Sequence, residues 1–494
     1  MSYKEPEELK KEAQDILNKF EGMELKPKDR LSIPVQDMPS QDPKVRGKNM
    51  NEVALGYFEE QVKAEAMRCI QCKNAPCVKG CPVGIDIPGF IREAGEGNFD
   101  KAIAIIRQSS LLPAICGRVC PQESQCMEQC TVGKSLKDKM KSVQIGRIER
   151  FLADWDRARK EKVLPQVASA TGKKVGVIGS GPSGLTAAAE LRRAGHEVVI
   201  FEAFQKPGGV TIYGIPEFRL PKAIVEEEVQ VLEEMGVKFE YNFLVGRTRR
   251  IESLLNQDGF DALYISTGAG LPKFLGIEGE NFVGVFSANE YLTRANMMKA
   301  TVRDKSDTPL FRAKKVAVFG GGNVAMDAAR TALRGGAEEV HIIYRRTEEE
   351  MPARAEEVAH AKEEGIVFDL LTNPVRILGD DEHRVRGIEC LRYELGEPDD
   401  SGRRRPVAIK GSEFEIEVDA CIVSIGSGSN PLISQTTPEL KVSEWGTIIT
   451  DESGRTSMDR VYAGGDIVQG AATVILAMGD GQKAAKAITE RLAQ

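Results

Sequence analysis

Eight of the ten cysteines lie between Cys69 and Cys130, and they fall into two runs of four. The first run is Cys69, Cys72, Cys77 and Cys81, followed by Pro82; the second is Cys116, Cys120, Cys126 and Cys130, with Pro121 after Cys120. In iron-sulfur proteins, closely spaced thiolates ligate one cluster, whereas a cysteine beside a proline is led away to a neighbouring cluster. The spacing therefore predicts two 4Fe-4S clusters that share ligands between the two runs.

Zinc is the competing interpretation of these thiols, because Cys69 and Cys72 form a C-x2-C pair that suits a tetrahedral site. Eight clustered thiolates beside nucleotide-binding motifs favour electron transfer instead. Disulfides are disfavoured because the charged N-terminus lacks the apolar stretch of a signal peptide, which predicts a reducing, cytoplasmic setting. No window has the apolar length of a membrane span, and a net charge of -7 argues against a nucleic-acid partner.

A first nucleotide motif lies in KKVGVIGSGPSGLTAAAELRRAGHEVVIFEA, which reads as strand, glycine turn, helix and strand. Gly179 allows the tight turn, Gly181 lets the backbone approach a pyrophosphate, and Gly184 permits close helix packing. Glu202, at the end of the second strand, is expected to accept hydrogen bonds from ribose hydroxyls. Chain order assigns this motif to FAD, with Gly209 as a further FAD residue.

The C-terminal tail VYAGGDIVQGAATVILAMGDGQKAAKAITERLAQ predicts a strand, a glycine turn and a helix that complete the FAD unit. Gly464, Gly465 and Asp466 are expected near the ribityl and pyrophosphate region of FAD. Ala472 and Thr473, at the start of the last helix, would aim backbone N-H groups at the flavin ring and stabilise its reduced form.

A second motif, KKVAVFGGGNVAMDAARTALRGGAEEVHIIYRR, repeats the same pattern. Its turn residues are Gly320, Gly322, Asn323 and, in place of the third glycine, Ala325. The second strand ends in Arg345 and Arg346 instead of an acid, and guanidinium groups pair well with a 2′-phosphate. This unit is therefore predicted to bind NADPH in preference to NADH, with an exposed arginine pair of no such role as the alternative.

The chain length of 494 residues suits roughly three domains. We expect an α/β protein of disulfide-reductase-like architecture, in which a helical iron-sulfur domain precedes two doubly wound nucleotide-binding domains. The predicted boundaries are 1-165 for the helical domain, 172-300 and 417-494 for the FAD domain, and 301-416 for the NADPH domain. The FAD domain is thus split by the inserted NADPH domain.

Together these motifs resemble the small (β) subunit family of NADPH-dependent glutamate synthase. The similarity runs from about QDPKVRGKNMNEVALGYFEEQ to the end, and it includes both cysteine runs, GSGPSGL, KPGGVTIYGIPEFRLPK, FGGGNVAMD, YRRTEEEMPAR and AGGD. The architecture is also similar to the large subunit of the electron-bifurcating NADH-dependent ferredoxin:NADP oxidoreductase and to the N-terminal part of dihydropyrimidine dehydrogenase.

The resemblance implies a ligand set for each of the two clusters. One set is Cys69, Cys72, Cys77 and Cys130; the other is Cys81, Cys120, Cys126 and, from the segment SVQIGRIERFLADW, Glu149. Cys116 is then a bystander. The alternative is ligation by Cys116, with Glu149 as an ordinary helix-surface carboxylate.

The resemblance also implies an NADPH-oxidising subunit, with FAD and two 4Fe-4S clusters, that supplies electrons for forming glutamate from glutamine and 2-oxoglutarate. Position 2 is Ser, so no N-terminal thiol nucleophile is present and a separate glutamate synthase large subunit is the expected partner. The alternative function is that of the bifurcating large subunit, whose partners would be a small flavin/2Fe-2S subunit and ferredoxin. No catalytic side chain is expected, because the cofactors carry the hydride transfer.

A disulfide reductase is disfavoured, because such an enzyme needs a C-x-x-C pair beside the flavin. Cys390 and Cys421 are isolated in the sequence and are expected to be buried small apolar residues.

Overall fold

The computed structural model describes residues 3-159, 164-302, 306-398 and 402-494. The N-terminal unit is helical, and its α-helices are α1 (Pro6–Lys19), α2 (Pro27–Ser32), α3 (Pro43–Arg46), α4 (Glu59–Met67), α5 (Pro76–Lys79), α6 (Ile87–Gly95), α7 (Phe99–Ser109), α8 (Pro113–Val119), α9 (Thr131–Ser135) and α10 (Ile145–Arg157). Two 3-10 helices, Gln122–Ser124 and Lys139–Lys141, lie among them. From residue 3 to 159 the only strand pairing is the isolated bridge between Ser40 and Ala54, which confirms the helical prediction.

The first nucleotide unit contains a five-stranded parallel sheet of order β16-β4-β1-β2-β3. Its elements are β1 (Lys174–Ile178), α11 (Pro182–Arg193), β2 (Glu197–Phe201), α12 (Val210–Tyr213), α13 (Lys222–Glu234), β3 (Lys238–Glu240), α14 (Ile251–Asn256), β4 (Ala262–Ile265) and, from the C-terminal tail, α18 (Leu432–Thr436), β16 (Val461–Ala463), α19 (Asp466–Gln469) and α20 (Val474–Leu492). Because β16 pairs with β4, both ends of the split unit belong to one sheet, which confirms the insertion.

The second unit has a parallel sheet with the equivalent order, β6-β14-β7-β8-β9. Its elements are β6 (Val285–Ser287), α15 (Ala288–Asn296), β7 (Lys315–Phe319), α16 (Asn323–Arg334), β8 (Glu339–Tyr344), the 3-10 helix Glu348–Glu350, α17 (Ala355–Glu363), β9 (Val367–Leu370) and β14 (Ala420–Val423). The sheet thus extends past the predicted span 301-416 on both sides. The two strands outside the predicted span are β6 and β14; β6 pairs with β14, and β14 pairs with β7. This pairing joins distant parts of the chain, so no local motif predicts it.

An antiparallel sheet follows β9 and was not predicted. It comprises β10 (Thr372–Gly379), β11 (Val385–Pro398), β12 (Arg404–Ala408) and β13 (Phe414–Ile416). A two-stranded ribbon of β5 (Leu271–Pro272) and β15 (Ser427–Gly428) lies where the chain crosses between the two units. Burial on both faces explains the continuous apolar strands of the two parallel sheets.

The helical unit and one face of the first sheet share a single hydrophobic core. Helix α20 packs against α11 on the sheet and also contacts α8 of the helical unit. Helix α20, the last helix of the nucleotide unit, therefore contacts the segment in which the second cysteine run begins.

In the part of the chain that the structure describes, no single helix has the length and apolar composition to cross a membrane. Two consecutive helices, Phe99–Ser109 and Pro113–Val119, reach that length and composition only when taken together, and they are bent by 86° relative to each other.

Candidate functional site

The first glycine loop has the shape that a dinucleotide needs. Gly179 has φ +99°, and a Cβ there would lie 2.6 Å from the carbonyl oxygen of Ser266. A Cβ at Gly184 would lie 2.0 Å from the Gly179 carbonyl oxygen, so helix α11 approaches the turn closely. At Gly181, by contrast, no heavy atom lies within 4 Å of the Cβ position. Only the middle glycine faces open space, which is what a pyrophosphate lying on the backbone requires.

Glu202 is buried beneath this loop and holds it in place. Its carboxylate accepts hydrogen bonds from the backbone N-H of Ser180 at 3.0 Å, from the Ser180 hydroxyl and from the backbone N-H of Phe204 at 2.8 Å. An ionised carboxylate has about four acceptor sites, so capacity for a ribose hydroxyl is left. Gly209 contacts the same loop, because a Cβ there would lie 2.8 Å from Gly181 Cα.

The C-terminal glycines pack directly against the first glycine loop. A Cβ at Gly464 would lie 2.3 Å from the Tyr264 hydroxyl, and one at Gly465, which has φ +75°, would lie 2.9 Å from Ser183 Cβ. The hydroxyl groups of Ser183 and Tyr264 are hydrogen-bonded at 2.6 Å. The structure thus brings the two halves of the predicted FAD site together.

Asp466, Ala472 and Thr473 lie side by side at the start of α20. Asp466 accepts a hydrogen bond from the backbone N-H of Ala472 at 3.2 Å, and burial raises the pKa of its carboxyl to about 6. Thr473 is the N-cap of α20, and its hydroxyl accepts from the Leu476 N-H at 3.3 Å. The positive end of a 19-residue helix therefore faces this corner of the unit.

The second glycine loop repeats the geometry of the first. Gly320 has φ +135°, and a Cβ there would lie 2.3 Å from the Ser424 carbonyl oxygen, whereas at Gly322 nothing lies closer than 3.9 Å. The Asn323 side-chain oxygen accepts a hydrogen bond from the Arg354 backbone N-H at 2.9 Å, which ties the loop to the start of α17. This loop too leaves its middle region open for a phosphate-bearing ligand.

The predicted arginine pair divides in the structure. Arg345 is exposed at the end of β8, but Arg346 is buried, and its Nε donates to the Arg404 carbonyl oxygen at 2.8 Å. Arg404 in turn pairs with Glu350 at 2.8 Å. Arg346 therefore anchors the β11-β12 hairpin, and Arg345 is the residue of the pair that is open to a ligand.

Four thiols of the two runs lie near one another, and we call them the outer group: Cys69, Cys72, Cys77 and Cys130. Burial, together with the charges of Cys130 and Cys72, raises the pKa of Cys69 to about 11. Burial, followed by the charges of Cys130 and Cys69, raises the pKa of Cys77 to about 12. These thiols come from both cysteine runs and influence one another's pKa, which is compatible with the crossed ligand set that the resemblance implies; that ligand set stays a prediction.

The remaining thiols of the two runs surround a carboxylate and form what we call the inner group: Cys81, Cys116, Cys120, Cys126 and Glu149. Burial raises the pKa of Cys81 and Cys126, and the charge of Glu149 adds to the effect. Cys120 and burial raise the pKa of Cys116; the pKa of Cys120 is lowered by Cys116 but raised on balance by burial, and Glu149 again raises both. Cys126 also interacts with Cys77, so the two groups are adjacent. A thiolate set that raises its own pKa values suits a positively charged iron cluster.

Glu149 has the environment of a ligand and not of a surface carboxylate. It lies on the buried stripe of α10 beside Ile145, Ile148 and Leu152, and its Oε1 has no hydrogen-bond partner. Burial, reinforced by the charge of Glu228, raises the pKa of Glu149 to about 8. A buried, unpartnered carboxylate oxygen is costly, so it is best explained by a partner that the polypeptide does not supply.

Gly117 in α8 allows α10, the helix that carries Glu149, to lie close to α8. A Cβ at Gly117 would lie 2.7 Å from the backbone N and Cα of Arg150, so α8 and α10 touch through their backbones. Cys116, beside Gly117, has another contact: its sulfur lies 3.4 Å from the Met478 sulfur, and the neighbouring Cys120 thiol together with burial raises its pKa. The geometry therefore favours Glu149 over Cys116 as the group that faces a cluster.

A single zinc ion fits these thiols poorly. Across the described residues, no three or more His, Cys, Asp or Glu side chains converge closely enough to hold one metal ion. A cube of four irons spaces its ligands further apart than a single ion does. The donor set therefore fits the cluster better than the zinc alternative.

The inner group touches the flavin-side helix directly. Gln125, beside Cys126, donates its side-chain N-H to the Thr473 hydroxyl at 3.3 Å. A Cβ at Gly479 would lie 3.1 Å from the carbonyl oxygen of Pro82, the residue after Cys81. The order in space is thus the first nucleotide unit, the inner group and the outer group.

Two buried charged residues, Arg219 and Lys222, are not among the site residues predicted from the sequence. Arg219 pairs with Asp327 of the second unit at 2.7 Å, and Lys222 donates to the carbonyl oxygens of Thr211, Ile215 and Leu220. Burial lowers the pKa of Lys222 to about 8. Charged residues within the otherwise apolar GIPEFRLPK segment were the available sequence signal. Arg219 joins the two nucleotide units, and Lys222 holds the segment after Gly209 in shape.

Comparison with known proteins agrees with this geometry. Residues 46-161 match the model of dihydropyrimidine dehydrogenase domain II, 4Fe-4S cluster, and residues 173-481 match that of pyridine nucleotide-disulphide oxidoreductase. FprA of Mycobacterium tuberculosis, solved in complex with NADPH, has the same fold over 65% of this chain and 85% of its own, with a TM-score of 0.55 and 22% identity.

Relatives cover nearly the whole chain. The glutamate synthase [NADPH] small chains of Halomonas elongata and Escherichia coli are both 36% identical to it, over 94% and 92% of this chain and 97% and 96% of theirs. Subunit beta of an NADP(+)-dependent formate dehydrogenase from Moorella thermoacetica is 38% identical over 85% of this chain, and 60% of that protein is covered.

The fold and the two kinds of motif define a pyridine nucleotide-dependent oxidoreductase with an attached iron-sulfur domain. Within that class, the chain belongs to the family of glutamate synthase small chains.

Proposed function

We propose that this chain oxidises NADPH and delivers the electrons, through FAD and two 4Fe-4S clusters, to a separate glutamate synthase large subunit that forms glutamate. The observation that carries the proposal is the continuous line of contacts from the first glycine loop through α20 to the inner and outer groups. When bound, FAD accepts a hydride from the nicotinamide and releases single electrons to a cluster. Relatives named small chain or subunit beta support a partner subunit.

The chain's own residues bind, orient and shield the cofactors. The open middle glycines, Gly181 and Gly322, receive the two pyrophosphates, and the N-terminus of α20 directs its positive end toward the flavin. The outer group and three inner thiols, Cys81, Cys120 and Cys126, hold the two clusters, with Glu149 completing the inner set. The cytoplasmic location of the chain stays a prediction from the sequence.

NADPH selectivity is assigned to Arg345, because this exposed guanidinium lies at the end of β8, where the 2′-phosphate binds in this fold. Replacing it tests the assignment. Arg345→Ala is expected to lower kcat/KM for NADPH by ~10- to 100-fold, the worth of a charge-assisted hydrogen bond of ~1.5-3 kcal/mol, and to leave kcat/KM for NADH unchanged. Arg345→Lys is the matched control that keeps the charge. Equal losses with both nucleotides would refute the role in selectivity.

Anaerobic titration of the cluster-loaded protein with NADPH tests the function as a whole. We expect two-electron reduction of the flavin near the nicotinamide potential, followed by reduction of cluster signals in electron paramagnetic resonance spectra. Addition of a glutamate synthase large subunit, glutamine and 2-oxoglutarate should then yield glutamate at the expense of NADPH. Two flavin potentials separated widely on either side of the nicotinamide potential would instead identify the bifurcating oxidoreductase.

A further inference from the structure

Six exposed lysines surround the outer group, and we refer to them as the lysine rim: Lys73, Lys79, Lys134, Lys137, Lys139 and Lys141. They lie on the three short segments that carry or flank the outer thiols. The protein as a whole has a net charge of -7, so this positive concentration runs against its overall charge. Within the described residues, Lys141 is the one rim lysine in an ion pair, with Asp138 at 3.8 Å.

Direct contacts place the rim segments side by side. Lys134 donates to the Gln129 side-chain oxygen at 2.8 Å, and the Gln129 Cγ would lie 3.0 Å from a Cβ at Gly80, the neighbour of Lys79. The Cys72 thiol lies 3.2 Å from the Thr131 hydroxyl, which brings the segment of Lys73 to the start of α9. Lys79, Lys73 and Lys134 are therefore parts of one surface.

The 3-10 helix Lys139–Lys141 joins this surface at its other side. Arg68, the residue before Cys69, donates through Nη2 to the carbonyl oxygen of Lys141 at 2.6 Å. Its Nη1 donates to the carbonyl oxygen of Ser142 at 2.9 Å. The segment of Lys139 and Lys141 is therefore held beside Cys69 and belongs to the lysine rim.

The outer thiols supply a second, independent observation. In the outer group Cys69, Cys72 and Cys77 are partly exposed and Cys130 is buried, whereas in the inner group Cys116, Cys120 and Glu149 are buried and Cys81 and Cys126 are partly exposed. Since the inner group lies against α20, electrons that reach the outer group are at the protein surface. The rim therefore frames the place where an acceptor must approach.

We propose that the lysine rim is the docking surface for an acidic face of the electron-accepting partner protein. The inference rests on the proposed function, since it takes the outer group to be the exit point. Oxidation of NADPH to NADP+ and H+ releases two electrons, which would pass one at a time through the outer group to the docked partner. Exposed lysines suit loose electrostatic docking better than the bidentate grip by which arginine holds phosphate groups of a membrane or nucleic acid.

The test uses the cluster-loaded protein with a plant-type 2Fe-2S ferredoxin, a small acidic protein, as the probe. Lys73, Lys79, Lys134 and Lys137 are changed together to Glu. The matched control changes Lys410, Lys441, Lys483 and Lys486, four exposed lysines outside the rim, in the same way. Because the potential of a plant-type ferredoxin lies below that of NADPH, excess cytochrome c is added to reoxidise it, and ferredoxin-dependent cytochrome c reduction is followed at low and high salt. An uncharged quinone serves as the acceptor that reports NADPH oxidation itself.

Reversal of the rim charges is expected to lower kcat/KM for ferredoxin by ~10-fold or more at low salt, with a smaller effect near 1 M salt, where the Debye length is only ~3 Å. Quinone reduction should be unchanged. A readout without turnover is carbodiimide cross-linking, which should join rim lysines of the wild-type protein to ferredoxin carboxylates. Equal losses in the rim and control variants, or cross-links only outside the rim, would overturn the proposal.

Two other outcomes are also decisive. Binding of the wild-type protein, but not the rim variant, to vesicles with 30% anionic lipid, without a change in ferredoxin kinetics, would overturn the proposal in favour of a membrane surface. Failure of quinone reduction in the wild-type protein would contradict the proposed function instead, so the two failures are distinguishable.

Discussion

The inner and outer groups use the same kind of side chain in different surroundings. The inner group lies between α8, α10 and α20, contains a buried carboxylate and is in contact with the flavin-side helix. In the outer group three of the four thiols are partly exposed, and the lysine rim lies around them. Under the proposed function, this difference accounts for the order of electron flow, because the group beside α20 would accept from the flavin and the group beside the lysine rim would reach a partner.

The largest expected effect comes from removing one group at a time. Cys120→Ser should remove the inner cluster and leave the outer cluster unreduced by NADPH, because the connecting centre is lost. Cys72→Ser should remove the outer cluster and leave rapid reduction of the inner one. Stopped-flow absorbance with freeze-quench paramagnetic resonance measures both. Reduction of the outer cluster at the wild-type rate in Cys120→Ser would contradict the order inner before outer.

A second expected effect concerns the fourth ligand of the inner group. Glu149→Leu should lose iron from the inner cluster or change its resonance signal, because the unpartnered carboxylate oxygen is removed and leucine cannot ligate. Cys116→Ser is the matched comparison and should retain both clusters, as its sulfur contacts Met478. Iron and sulfide analysis with spectroscopy measures the difference. The opposite result would assign Cys116 as the ligand.

A moderate effect is expected at the junction between the inner group and α20. Gln125→Ala removes the hydrogen bond to Thr473, and a neutral bond of this kind contributes ~1 kcal/mol, or about fivefold in an equilibrium. We expect electron transfer from flavin to the inner cluster to slow by a few-fold, with the outer cluster's potential unchanged. Gln129→Ala, in the same loop beside the outer group, is the control. A wild-type rate in Gln125→Ala would show that the junction is held by packing alone.

The smallest effect is expected at the contact between Cys116 and Met478. Met478→Leu conserves volume, so the loss in free energy of unfolding should be less than ~1.5 kcal/mol, and both clusters should be retained. Denaturant unfolding with cluster absorbance checks this. Loss of the inner cluster in this variant would mean that the sulfur contact itself helps to position the group.

The sequence by itself determined the elements that depend on local chemistry. The two glycine motifs predict their turns, because positive φ and close approach at Gly179 and Gly320 leave room for glycine only. Cysteine spacing and the family resemblance together predict two iron-sulfur ligand sets. The order of strands, glycines and helices predicts two doubly wound units, one inserted in the other, because each βαβ unit has a nearly invariant handedness.

Only the tertiary structure decided what depends on distant segments meeting. Strands β6 and β14 join the second sheet through pairing with distant segments, and Arg346 is buried by a hairpin that lies far away in the chain. Glu149 is buried without a hydrogen-bond partner for Oε1 only because distant segments pack around it. The same holds for which cysteine group faces α20 and which faces the surface. Burial and desolvation are properties of the assembled core, so a local pattern identifies a candidate ligand but does not set its surroundings.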